Sequence, residues 1–229
     1  MKRIFILLSI SITLLIVWTQ TKADYSGILL KHSPLKTNLT LQSRNQLENM
    51  ILLPDSAYDK EAAMEMVSRL DHIPTQLLES AENQDIKIRL FKNKLTDFST
   101  TSHLKGVTPR GYTNKSITWD DVPGIGGSKL VLVKIGHSEK GMGHNSCNLE
   151  LHELAHSIDR YVLTDFSYEL EFLPAWKQEA PRIFPAESYF LHYKEEYFAE
   201  TFAMYYLNHE TRNLLKKKAP ATYRFFNEL

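Results

Sequence analysis

The chain has 229 residues, 27 basic and 27 acidic side chains, and a formal net charge of +0, a balance that leaves no electrostatic footprint for nucleic acid. Its single cysteine, Cys147, excludes an internal disulfide. Hydrophobic residues make up 43% of the sequence, enough for one sizeable core or two small lobes around a cleft.

In chain order, Met1-Lys2-Arg3 precede a run from Ile4 to Trp18 without a charge, and Thr21-Lys22-Ala23 follow it. The apolar run is shorter than the roughly 20 residues of a spanning helix. Residues 1–23 therefore read as a secretory signal cut after Ala23, with membrane attachment only if it stays uncut. The remainder is expected to be secreted and extracellular. Losing Lys2, Arg3 and Lys22 without any acid moves the balance to about −3. Residues 24–47 are polar and poorly periodic, a leader open to disorder.

The pattern from Met50 to Leu53 predicts a short buried strand, and Asp59–Leu70 a helix with Met64, Val67 and Leu70 inward. Pro74 opens a second helix through about Ala81. Ile86–Phe91 alternates apolar with basic residues, the mark of a strand with one wet face. From Lys92 to Lys129 glycine and proline break any period, while Trp119 and Asp120-Asp121 argue for an ordered loop. Lys129–Gly136 resumes as a strand, followed by a turn in which His137 and His144 have loop or capping roles.

Asn148 to Asp159 then carries His152-Glu153-Leu154-Ala155-His156, an H-E-x-x-H sequence. Leu151, Leu154, Ala155 and Ile158 recur at helical steps, so a buried amphipathic helix is expected over about 148–163. At about 3.6 residues per turn the two histidines lie one above the other, close enough to share one cation, and Glu153 flanks that face. Two imidazoles suit one zinc ion, and a carboxylate beside it is placed to take a proton from water. Cys147 reads as a small packed residue beside the helix start.

Beyond the motif, Ser167–Gln178 suggests a helical piece disturbed by Pro174, and Pro181–Pro185 a loop. His192–Asn208 reads as a long buried helix bearing Glu196 and Glu200 one turn apart. An apolar helix rarely buries two acids without partners. Glu196 as third zinc ligand and Glu200 as acceptor for a ligating histidine account for both, with Glu195 at the surface. Lys216-Lys217-Lys218 is a solvated run before a last helix over Pro220–Asn227.

Further stretches point the same way: Leu104–Gly111, Thr118–Gly127, Gly141–Asn145, Glu195–Glu200 and Ala219–Tyr223. With the motif, they make the chain resemble the lethal-factor-type zinc peptidases, and within them the secreted Pro-Pro endopeptidases, over about Asp55 to Phe226. The resemblance implies a monomeric α+β zincin, a small β-sheet with helices above an active-site cleft and a helical C-terminal lobe. The catalytic domain would span 48–229, an upper α/β lobe over about 48–163 and a helical lobe over about 164–229. It implies zinc on His152, His156 and Glu196, Glu153 as base, and Tyr189 assisting. It implies an extended peptide or protein substrate along a sheet edge near residues 126–134, involving Gly126 and Gly127, with Arg110 and Glu195 pairing over it. Where the Pro-Pro enzymes place tryptophan and proline, this chain has Tyr112 and Lys194. The rival expectations are a peptidase of other sequence preference and an exported zincin-scaffold binding module without turnover.

Overall fold

The computed structural model of the protein describes residues 25–112 and 114–229. The expected signal, residues 1–23, lies outside the described residues. Strands β1 (Ile28–Leu29), β2 (Ile51–Leu53), β3 (Lys87–Phe91), β4 (Gly124–Ile125) and β5 (Leu130–Lys134) form one sheet in the order β1-β2-β3-β5-β4. The three central strands run parallel, and the two-residue strands at either edge pair antiparallel. Helices α1 (Arg44–Met50), α2 (Lys60–Leu70) and α3 (Thr75–Asn83) belong to this part, and α4 (Leu149–Tyr161) follows β5. The helical part holds α5 (Phe172–Ile183), α6 (Ser188–His192), α7 (Lys194–Leu207), α8 (His209–Lys218) and α9 (Pro220–Glu228). Among the described residues no helix is long and apolar enough to cross a membrane.

Alternation along the strands separates two apolar layers. Ile51, Leu53, Ile88, Leu90, Val131 and Val133 face the helices, and Leu52, Phe91, Leu130 and Leu132 face the other way. The second face was expected to be wet, yet Arg89 on β3 is only 7% exposed. Leu95, Phe98, Leu104 and Trp119 of the long loop cover it. That loop is ordered by Asp120, which accepts from Thr96 Oγ1 at 2.6 Å and from the Gly106 N–H at 2.8 Å. Those same contacts keep the Asp120 carboxyl below its ordinary range. A strand in mid-sheet buries both faces, so its basic residues find protein partners; Arg89 donates to the Leu53 carbonyl oxygen.

Other expectations are corrected. Residues 25–47 are folded: β1 extends the sheet, and Leu30, Leu35, Leu39 and Leu47 are buried in the main core. Isolated leucines on short 3-10 turns leave no period to read. On α2 it is Met66, fully buried, that points inward, and Met64 sits at the margin. Pro174 does not disturb α5, because it stands in the first turn, where backbone N–H groups have no acceptor within the helix. The helix also runs through Pro181, expected in a loop, and stops two residues later at Ile183. Before the last helix lies another full one, α8, whose N-terminus Asn208 caps by accepting from the Thr211 N–H at 3.0 Å.

The helical part is fastened by aromatic packing and one buried acid. Phe166 stacks on Phe225 at 3.9 Å, and Phe172, Phe198 and Phe226 continue the cluster. Glu179 on α5 accepts from the Ala221 and Thr222 N–H groups at 2.8 and 3.0 Å and from Thr222 Oγ1 at 2.8 Å, capping α9 from outside. Thr222 Oγ1 also meets the Tyr197 hydroxyl of α7 at 2.9 Å. Glu179→Ala strands these donors in a closed interior, so we expect about 2–4 kcal/mol lower stability in urea titration, with Glu179→Gln losing less.

Candidate active site

Helix α4 begins where Asn148, in extended conformation, accepts from the Leu151 N–H at 3.0 Å. Buried Glu150 in its first turn receives Arg69 Nε of α2 at 2.6 Å, and Arg69 also donates to Ser138 Oγ at 2.9 Å. At its far end Asp159, also buried, accepts from the Ser167 N–H at 2.9 Å and Ser167 Oγ at 2.6 Å. Held at both ends, α4 turns His152 and His156 toward α7. Helix α7 is buried around nearly its whole girth, so Glu196 and Glu200 must find partners.

They find the histidines. His152 Nε2 lies 3.3 Å from Glu196 Oε2, His156 Nε2 lies 3.4 Å from the same oxygen, and the two Nε2 atoms are 3.2 Å apart. Nitrogens at about 2.0–2.1 Å around a tetrahedral zinc ion are separated by about 3.3 Å, so this donor set fits one such ion. No other group of three metal-ligating side chains converges among the described residues. Behind the site His152 Nδ1 lies 3.1 Å from Glu200 Oε2, a contact that fixes the direction of the ring and turns Nε2 toward the other two groups. Glu200 also accepts from the Cys147 N–H at 2.8 Å. Burial disfavours a charged His152, but hydrogen bonds to Glu196 and Glu200 outweigh it and raise the imidazole to about 10. Burial likewise opposes ionisation of Glu196, and hydrogen bonds from His152 and His156 override it, holding the carboxyl far below its ordinary range.

Glu153 is half-buried beside this centre. Burial raises its carboxyl above the ordinary range, against the pull of His152 and His156. The chain between β4 and β5 passes so close that a Cβ on Gly126 would lie 1.9 Å from the Glu153 carbonyl oxygen. Only glycine fits there. The Gly127 N–H donates to Ser157 Oγ of α4 at 3.1 Å, so both glycines weld the sheet edge to the motif helix. The free edge itself is β4, Gly124–Ile125; β5 is paired on both sides, which corrects the expected edge at 126–134.

Across the cleft, the Tyr189 hydroxyl donates to Glu196 Oε1 at 2.8 Å, and burial raises its pKa. Gly111, at φ +86°, lies flat on the Tyr189 ring; a Cβ there would come within 2.6 Å. Arg110 Nη2 donates to Glu195 Oε1 at 2.8 Å and also to Glu196 Oε1 at 3.1 Å, with its guanidinium 4.0 Å from the Tyr193 ring centre. Sequence reasoning paired Arg110 with Glu195 but missed its hold on Glu196. Tyr112 is on the same side, its hydroxyl 3.4 Å from the Gly143 carbonyl oxygen. Its pKa is raised, first by burial and then by the Glu153 charge. His137 and His144 stay in the loop: His137 Nδ1 lies 2.8 Å from the Met142 carbonyl oxygen and His144 Nε2 2.8 Å from that of His137. Cys147 is half-buried and its thiol is pushed up by burial, so its N–H is the part the site uses.

A small mixed sheet over a helix carrying two histidines, met by an acid from a helix of the C-terminal helical part, defines a zincin-type metallopeptidase. The family model described as "Anthrax toxin lethal factor, N- and C-terminal domain" matches residues 38–229. The chain belongs to this family. It is 44% identical over 188 residues to a Pro-Pro endopeptidase of Clostridioides difficile, covering 82% of this chain and 84% of that one. A Pro-Pro endopeptidase of Paenibacillus alvei is 40% identical over 188 residues, 82% and 86% of the two chains. The solved structure of the Paenibacillus alvei enzyme superimposes with a TM-score of 0.76, covering 80% of this chain and 98% of that one.

Because Glu200 fixes the direction of His152, Glu200→Gln should weaken metal affinity about 10- to 100-fold. Competition with a chromogenic chelator measures this, and unchanged affinity would remove Glu200 from the site.

Proposed function

We propose that this protein is a zinc endopeptidase that hydrolyses the bond between consecutive prolines in extracellular or cell-surface proteins. The observation that carries hydrolysis is the convergence of His152, His156 and Glu196 at 3.2–3.4 Å with Glu153 alongside. The proline preference is supported by 40–44% identity to two enzymes named Pro-Pro endopeptidase. It also agrees with the cleft. An edge strand of two residues offers few ladder bonds, and a proline-rich peptide, lacking N–H groups, needs few. Tyr112, Tyr189 and Tyr193 supply flat faces for pyrrolidine rings.

Bound by the two histidines and Glu196, zinc would supply Lewis acidity, polarising the scissile carbonyl and acidifying a water toward about pH 7. The chain's own residues do the rest. Glu153, alongside the two histidines, accepts the proton of the attacking water and hands it to the leaving prolyl nitrogen. The Tyr189 hydroxyl, which donates to Glu196 in the free protein, would turn its proton to the oxyanion as the carbonyl carbon becomes tetrahedral. Arg110 neutralises the face of Glu196 turned away from the histidines and so steadies that ligand. Localisation outside the cell rests on residues 1–23 read as a signal.

Glu153→Gln should retain metal and lose hydrolysis of a fluorogenic Pro-Pro peptide by about 10²-fold or more, and Tyr189→Phe should cost about 10²- to 10³-fold in kcat. Full activity of Glu153→Gln would exclude it as the base. Glu196→Ala should bind metal measurably more weakly by elemental analysis, since two histidines alone remain. N-terminal sequencing of protein recovered from the culture medium should begin at Asp24; an intact Met1 there would refute cleavage.

A further inference from the structure

We propose that Tyr168 and Leu170 form an apolar shelf that receives an apolar side chain of the peptide substrate away from the scissile bond, and so help set sequence preference. The inference rests on the peptidase reading of the site. Leu170 is 82% exposed and Tyr168 52%, although neighbours in the same turn are firmly tied down. Ser167 is bound through two atoms to buried Asp159, three residues beyond His156 on α4, and Phe166 stacks on Phe225 at 3.9 Å. The turn enters through Thr164 and Asp165, both left-handed at φ +55° and +61°, a conformation that non-glycine residues adopt at a cost. A segment so constrained could easily present polar side chains. It holds Leu170 in water instead, with the half-exposed Tyr168 ring two residues before it.

Its position joins it to the catalytic centre. Lys194 Nζ lies 3.8 Å from the centre of the Tyr168 ring, and the next residue, Glu195, is tied through Arg110 to Glu196. Nearness to Glu195 also helps burial to raise the Tyr168 hydroxyl. Tyr168 is thus linked through Lys194 and Glu195 to Arg110, and Leu170 follows it two residues on.

The test uses peptides with a central Pro-Pro pair, carrying leucine or alanine in turn at each of three positions on either side. The purified protein and its Leu170→Ser, Tyr168→Ser and Tyr168→Phe variants are compared. At one flanking position the unaltered protein should favour leucine over alanine by about 10-fold or more in kcat/KM. Leu170→Ser and Tyr168→Ser should bring that ratio close to one, chiefly through KM, and Tyr168→Phe should preserve it. A ratio untouched by Leu170→Ser, or no leucine preference at any position, overturns the shelf. Binding of the same labelled peptides to Glu153→Gln, with and without Leu170→Ser, separates the two readings. If no peptide is hydrolysed, the Pro-Pro reading fails and the binding ratio alone decides. Leucine preference lost with Leu170→Ser then supports the shelf, whereas equal binding, or none, overturns it.

Discussion

The structure depends on one meeting, between His152 of α4 and the two acids Glu196 and Glu200 of α7. Neither helix could bury its charged face alone: α7 is enclosed on nearly every side, and a bare carboxylate in such surroundings costs several kcal/mol. His152 lies between the two carboxylates, 3.3 Å from one and 3.1 Å from the other, and it keeps both of them ionised. The upper and helical parts of the protein are thus joined through the same atoms that make up the metal site. Fold and site share one set of contacts.

Those atoms are kept in register from further away. Arg69 and Ser138 fix the start of α4 through Glu150, while Asp159 ties its end to the turn at Ser167. On the other side, Glu179 caps α9, and Thr222 carries the contact on to Tyr197 of α7, one residue beyond the ligand Glu196. Buried carboxylates recur at these junctions: Glu150 is held by the single Arg69 guanidinium, whereas Asp159 and Glu179 each accept from more than one donor and so lock separate backbone segments together.

The cleft is asymmetric. Its upper wall is backbone: two-residue β4 and the glycines behind it, packed so tightly on Glu153 that no side chain fits at Gly126. Its lower wall is side chain: Tyr189, Tyr193 and Arg110, followed by Lys194 and Tyr168. Few main-chain bonds and several flat faces are what these two walls offer, an arrangement suited to proline. Tyr112 and Lys194 stand near these walls without belonging to the group formed by His152, His156 and Glu196.

The convergence of the candidate site was legible along the chain because helical periodicity is local: an H-E-x-x-H on an unbroken apolar helix places two imidazoles on one face, and two acids one turn apart on a buried helix demand partners. Helices α2, α4 and α7 are visible for the same reason, and β2 shows as a short apolar run. What the sequence could not decide were matters of distance along the chain. The folding of residues 25–47, the covered second face of β3 and the continuation of α5 through Pro181 depend on neighbours dozens of residues away. Arg110 reaching past Glu195 to Glu196, Gly111 lying on Tyr189, and the free edge falling at β4 rather than beyond it are likewise contacts between segments far apart in sequence. Local pattern determines which faces a segment offers; only tertiary packing determines what meets them, because that depends on how every other segment buries its own apolar surface.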